Sequence, residues 1–130
     1  MAKNKLDNCF IDELENYNYE IKTANDEYLA SAKSLSLLDT SVIQKQSFSI
    51  VRDENGSILL DAKGRPAYDI NVNMWEIYTI KQALTKWRWD REITVETIAL
   101  LPADVRNNIF REIRRHEGFF EVNREAIEKN

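Results

Sequence analysis

The spacing of hydrophobic residues predicts a strand early in the chain and a long helix later. Tyr17, Tyr19 and Ile21 alternate with polar residues, a pattern typical of a short, half-buried strand. From residue 73 onwards, apolar side chains recur at helical spacing, namely at Ile77, Ile80, Leu84 and Trp87. We therefore predict a helix over 73–88, with Asn73 as its N-cap and Glu76 completing a capping box.

Two further helices are predicted over 94–101 and 103–117. Thr94 is a suitable N-cap for the first, and Pro102 separates the two because its fixed φ and missing N–H suit a first helical turn. The second helix has an apolar residue every fourth position, at Val105, Ile109 and Ile113. Gly118 follows as a natural C-terminal cap.

A β-hairpin is predicted over 47–61. Phe48 and Ile50 alternate with polar residues before Asn55-Gly56, and an apolar run, 58–60, follows. Asn-Gly is the dipeptide that a type I′ turn prefers, because both central residues take positive φ. Residues 25–27 resemble a helix start, and the Ala- and Ser-rich stretch that follows them is only weakly patterned.

Together these elements predict a mainly helical α+β fold in a single domain, 1–130. The chain of 130 residues contains only three glycines and two prolines, which favours helices over the many turns of an all-β fold. We expect flexible ends over 1–16 and 121–130, and no internal repeat.

The charge is uneven, although the whole chain has a net charge of −4. Residues 1–30 contain three lysines and seven acidic residues, whereas 81–116 contain eight basic and five acidic residues. The two sections could meet within one chain or between copies. The net negative charge disfavours nonspecific nucleic-acid binding, and no run of apolar residues approaches the length of a membrane span.

One cysteine and one histidine leave little material for catalysis. Cys9 cannot form an intrachain disulfide, which fits a reducing compartment, and a Cys/His zinc site within one chain is excluded. His116 is the only possible base for a Ser/His/Asp device, and it lies where a histidine complements a helix C-terminus. We therefore predict no enzymatic activity, no cofactor and no metal.

The remaining candidate residues are surface residues of the kind that bind protein partners. Trp75 and Trp89 lie off the helical stripe, whereas Trp87 continues it into the core. The predicted partner-binding residues are two tryptophans beside the helices, two phenylalanines after Gly118, and three arginines that face away from the 105–113 stripe: Trp75, Trp89, Phe119, Phe120, Arg111, Arg114 and Arg115. An ordinary solvated face for the arginines and an intramolecular contact for the phenylalanine pair stay open as alternatives.

The span 73–117 resembles the small tail assembly chaperones of long-tailed bacteriophages. The resemblance lies in a long helix ending in Lys86-Trp87, an Ile93-Thr94-x-Glu96 start, Leu101-Pro102 and the apolar helix that follows. It implies a helper in the host cytoplasm that coats the long helical tape-measure protein while tail tube subunits assemble. Partners would be the tape-measure or tail tube protein, and copies of the chain itself.

Two other functions compete with a chaperone. The first is a permanent structural part of the phage, such as a connector or minor tail protein. The second is a small DNA-binding regulator, suggested by Arg and Asn residues on the last helix, since both residue types contact base edges.

Overall fold

The computed structural model describes residues 9–118 and confirms an α+β fold. In chain order the elements are a 3-10 helix at Ile11–Glu13, then β1 (Asn18–Lys22), β2 (Tyr28–Lys33), α1 (Leu37–Ser47), β3 (Phe48–Ile50), β4 (Tyr68–Ile70), α2 (Val72–Ala83), β5 (Leu84–Trp87), α3 (Val95–Ala99) and α4 (Ala103–Glu117). Parts of the predicted flexible ends, 1–8 and 121–130, lie outside the described residues, as do Phe119 and Phe120.

Most of the folded mass is a three-stranded antiparallel sheet packed against helices, which we call the body. The strand order is β1-β2-β5, so that β1 and β5 form the two edges. Helices α2, α3 and α4 contribute its buried isoleucines, and β1 adds one more. The largest fully buried side chains are Ile21, Ile80, Ile98, Ile109 and Ile113.

The predicted 73–88 helix is wrong at both ends. Asn71, not Asn73, caps α2, because its side-chain oxygen accepts from the backbone N–H of Met74 at 3.1 Å. Glu76 does not close a capping box; its carboxylate lies 3.7 Å from the Arg106 guanidinium. The helix stops at Ala83, and the chain continues as strand β5.

The residues of β5 matched a helical stripe in the sequence because this strand contains a bulge. Leu84 pairs with Ala32 and Lys86 with Ser31, so Thr85 is an extra residue on this strand. Such a bulge shifts the alternation of side chains by one position. Leu84 and Trp87, three residues apart, are therefore both buried, as they would be in a helix.

The segment 28–47 contains a strand and a helix that the sequence pattern did not predict. The helix start expected at 25–27 is instead a turn in which Asp26 takes a φ of 65°. Strand β2 is the centre of the sheet, and its Ala30 and Ala32 are buried despite the weak strand preference of alanine. Contacts on both sides of a central strand therefore override local propensity.

Helix α1 begins with a capping box, in which Ser36 and Asp39 each bond the backbone N–H of the other. Its buried positions, four residues apart, are Asp39, Ile43 and Ser47, so two of the three are polar. Because two of these three positions are polar, the sequence shows no helical spacing of hydrophobic residues here. The helix was therefore not predicted.

The later helices agree better with the sequence. Thr94 caps α3 as predicted, although the helix ends at Ala99 rather than at 101. Helix α4 has the predicted bounds, and Gly118 follows it with a φ of 68° in the left-handed region that favours glycine. The predicted strand at 17–21 is β1, and it is confirmed with a shift of one residue.

Between α1 and α2 the chain leaves the body as a small β structure, residues 48–71, which we call the β-arm. Strand β3 pairs with β4, not with residues 58–60 as the predicted hairpin required. The Asn55-Gly56 turn does connect a bridge between Arg52 and Ile58, but a second turn leads back to β4. At the base of the arm, the Asn71 N–H donates to the Ser47 carbonyl at 2.8 Å.

The two turns of the β-arm are built alike. Asp53 and Asp61 each accept two backbone N–H bonds through one carboxylate oxygen, and a glycine with positive φ follows three residues later. Asn55 does not have positive φ, so the predicted type I′ turn is wrong. The same Asp-x-x-Gly sequence occurs at 53–56 and again at 61–64, eight residues later.

A closed ring of backbone hydrogen bonds holds the β-arm together. Val51 N–H donates to the Ala67 carbonyl at 3.0 Å, Ala67 N–H to Leu59 at 2.9 Å, and Leu59 N–H to Val51 at 3.0 Å. These three residues are spaced by eight, like the turns. The arm is therefore ordered by its backbone rather than by a buried core.

Candidate protein-binding surface

The β-arm exposes an unusual number of large apolar side chains. No residue of 48–71 is buried, and Leu60 is 61% exposed. The apolar residues that are at least 40% exposed in the arm are Ile50, Ile58, Leu59, Leu60, Tyr68 and Ile70. Single exposed apolar residues are ordinary, but a concentration of them in one structural unit indicates an interaction site.

The register of β3 and β4 places the apolar residues of these strands on one face. Phe48 pairs with Ile70 and Ile50 pairs with Tyr68, while the alternate pair is Ser49 with Asp69. Because successive side chains point to opposite faces, one face of this two-stranded sheet is apolar and the other is polar. The rings of Phe48 and Tyr68 lie 6.4 Å apart across the apolar face.

Helix α1 adds a second exposed apolar group. Leu37 and Leu38 are 82% and 78% exposed, although they begin a helix whose other face packs against α2. The sequence pattern predicted a hairpin at 47–61 but did not indicate that its apolar residues are exposed, and it gave no prediction for Leu37 and Leu38. Only the register and the burial reveal them as surface.

Of the predicted partner-binding residues, the tryptophans are largely engaged within the body. Trp75 makes an edge-to-face contact with Phe110, at 5.6 Å between ring centroids. Trp89 packs in the same manner on Trp87 at 5.3 Å and is only partly exposed. Trp87 is buried as predicted, and its indole N–H donates to the Arg91 carbonyl at 2.7 Å.

The predicted arginines divide into two environments. The guanidinium of Arg114 lies 5.5 Å from the centre of the Phe110 ring, a cation–π contact with the body. Arg111 and Arg115 are exposed and bond to neighbours on their own helix, Asn108 and Glu112 respectively. Trp75 and Arg114 therefore contact the same ring, whereas Trp89, Arg111 and Arg115 have other neighbours.

His116 makes a more specific contact than its position at a helix end suggested. Its ring stacks on Tyr19 at 3.6 Å, and its Nε2 lies 3.0 Å from the Ser34 hydroxyl. The nearby Glu117 carboxylate accepts the backbone N–H of Leu35 at 2.9 Å. Burial and the charge of Glu117 raise the pKa of the Tyr19 phenol above its ordinary value. These contacts fasten the end of α4 to the sheet.

Serine and histidine at this distance have the separation of a nucleophile and its base. Within residues 9–118, however, no hydrogen bond orients the Nδ1 atom of His116, which a catalytic triad needs. The same residues contain no group of three His, Cys, Asp or Glu side chains that could hold a metal ion.

A buried carboxylate joins α1 to its neighbours. Asp39 lies 3.4 Å from the Lys33 ammonium and accepts from Ser36 and from the Gln82 side chain. Burial on its own raises the pKa of Asp39. The hydrogen bonds from Ser36, the charge of Lys33 and the bond from Gln82 outweigh it and hold that pKa below its usual value.

Comparisons with known proteins supply no relative for this chain. No protein-family model, no curated protein and no solved structure matches it. None of the helices within residues 9–118 is long and apolar enough to cross a membrane.

Proposed function

We propose that this chain is a bacteriophage tail assembly chaperone that binds a tape-measure-like protein in the host cytoplasm, by contact and without catalysis. The exposed apolar face of the β-arm is the observation that carries the proposal. The resemblance of 73–117 to such chaperones supports it independently, since that span lies in the body and not in the arm.

The arm suits an amphipathic helix as its ligand. A two-stranded sheet with one apolar and one polar face leaves half of its surface without a packing partner. An amphipathic helix is the simplest element that covers such a face, because its own apolar stripe needs the same protection. A long helical protein that is not yet enclosed by tail tube subunits would offer many such stripes.

Co-expression with the tape-measure protein of the same gene cluster tests the proposal. We expect the chain to raise the soluble fraction of that protein and to co-purify with it. The variant Ile50→Ser/Ile70→Ser removes apolar surface from the arm and should abolish both effects. The matched control, Ser49→Ala/Asp69→Asn, changes the opposite face of the same strands and should preserve them.

Three results would count against a chaperone. Recovery of the chain from purified virions by mass spectrometry would instead support a permanent structural part. Unchanged solubility of the tape-measure protein, with no co-purification, would remove the proposed ligand. Salt-dependent binding to duplex DNA that is lost in Arg111→Ala/Arg115→Ala would favour a regulator.

A further inference from the structure

The free edge of strand β5 borders two adjoining clefts that are separate from the β-arm. The first has a volume of about 440 Å³, and its walls include Lys81, Lys86 and Arg91. The second, of about 360 Å³, shares Trp89 and Arg91 with the first and extends to Leu100 and Leu101. We call the two together the β5 groove.

The groove has an excess of positive charge. Three cations line the first cleft against one carboxylate, Glu92, and the second cleft adds Asp90. Lys81, Lys86 and Arg91 form no ion pair within residues 9–118. Their charge is therefore available to an anionic ligand.

Apolar side chains lie beside these cations. Leu100 is 70% exposed, and the Trp89 ring stands edge-on against Trp87 without being fully buried. Aromatic and arginine side chains are the usual anchors of protein interfaces. The groove therefore suits a peptide that combines apolar and acidic residues, rather than a small anion.

The chain itself contains such a peptide near its N-terminal end. Around the 3-10 helix, Phe10 and Leu14 are 69% and 48% exposed. The same turn includes three exposed acidic residues that form no ion pair within residues 9–118, namely Asp12, Glu13 and Glu15. We call residues 10–15 the acidic turn.

The acidic turn and the β5 groove lie at opposite edges of one sheet. The turn leads directly into β1, and Leu14 and Glu15 border the cleft beside Tyr19 and His116. The groove borders β5, and β2 separates the two strands. Within one folded chain, the acidic turn therefore does not reach the groove.

We propose that the β5 groove binds the acidic turn of a second copy of this chain. Phe10 and Leu14 would pack near Trp89 and Leu100, and the three carboxylates would face Lys81, Lys86 and Arg91. Because each copy has a free turn and a free groove at opposite edges, the contact is heterologous and continues from copy to copy. This self-association does not depend on the tape-measure ligand.

Sedimentation velocity of the purified full chain tests the association. We expect the average mass to rise with protein concentration at low ionic strength and to fall when salt is added, because exposed charge pairs are screened. Lys86→Glu/Arg91→Glu and Phe10→Ser/Leu14→Ser should each weaken the association at least about tenfold, equivalent to about 1.4 kcal/mol. Circular dichroism checks that both variants fold.

Mixing the two variants gives the sharper result. Lys86→Glu/Arg91→Glu retains its acidic turn, and Phe10→Ser/Leu14→Ser retains its groove. A mixture of the two should therefore form dimers and nothing larger. Lys45→Glu/Lys63→Glu, with the same change in net charge but away from the groove, should associate like the native chain. A mixture that remains monomeric, or either variant associating alone as tightly as the native chain, would overturn the proposal, as would a native chain that is monomeric at every concentration.

Discussion

In the body, the five isoleucines at 21, 80, 98, 109 and 113 are at most 1% exposed, whereas every isoleucine and leucine of the β-arm is at least 40% exposed. The same residue types therefore serve different purposes in the two regions. In the body they supply the free energy of folding, since burying each one contributes roughly 1.5–3 kcal/mol. In the arm they remain exposed to solvent. Backbone hydrogen bonds and two aspartate-centred turns maintain the shape of the arm instead.

Apolar content alone therefore does not locate a core. Sequence 58–60, with three consecutive apolar residues, is as hydrophobic as any stretch of the body, yet it lies on the surface. What distinguishes it is its surroundings, because no residue of the β-arm belongs to the core cluster of the body. The comparison can be tested by substitutions in each region.

The largest change in the free energy of unfolding is expected for a substitution in the body. Ile109→Ala leaves a cavity beneath α4 and should lower the free energy of unfolding by about 3 kcal/mol. Leu60→Ala, in the arm, should change it by less than about 0.5 kcal/mol. Urea denaturation followed by circular dichroism measures both, and similar losses would show that the arm belongs to the cooperative core.

The second largest change in stability is expected on replacing Asp39, the buried carboxylate that links α1 to the body. Asp39→Asn removes the charge that Lys33 and Ser36 stabilise, and should cost about 1–2 kcal/mol at neutral pH. Because the pKa of Asp39 is lowered by folding, its stabilisation is present above the unfolded pKa of about 3.9 and is lost as the pH falls through the folded value.

The native chain should therefore lose more stability on acidification than Asp39→Asn does. Urea denaturation at neutral pH and at about pH 3 gives the difference, and Asp69→Asn on the exposed arm is the matched control. Equal acid sensitivity of the native chain and Asp39→Asn would contradict a stabilising role for this carboxylate.

A third substitution, Gly56→Ala, should destabilise only the β-arm. Gly56→Ala places a side chain at a φ of 81°, where nothing lies within 4 Å of the new Cβ, so only the backbone conformation is strained. We expect a cost of about 1–2 kcal/mol in the arm alone. Hydrogen exchange should quicken at the Leu59 and Ala67 amides but not at those of α4. Faster exchange throughout would mean that the two regions unfold together.

Local signals in the sequence predicted the parts of the fold that depend on local chemistry. Thr94, Pro102 and Gly118 marked α3 and α4 because caps act on adjacent residues. Strand β2 could not be predicted, since Ala30 and Ala32 become strand residues only through pairing with distant neighbours. Spacing in sequence likewise did not indicate that Trp75 and Arg114 contact the same ring, Phe110, because that contact depends on how α2 and α4 pack.

The double variant in the strands of the β-arm should have a small effect on stability and a large effect on binding. Ile50→Ser/Ile70→Ser replaces two half-exposed side chains, so the free energy of unfolding should change by less than about 1 kcal/mol. The same variant should fail to keep a tape-measure-like protein soluble. The substitutions alter the apolar face of the β-arm, which is the surface proposed to bind that protein. Thermal unfolding and co-purification, performed on one preparation, separate the two readouts. A variant that unfolds much more readily would show that these side chains stabilise the fold, and the contrast between body and arm would then disappear.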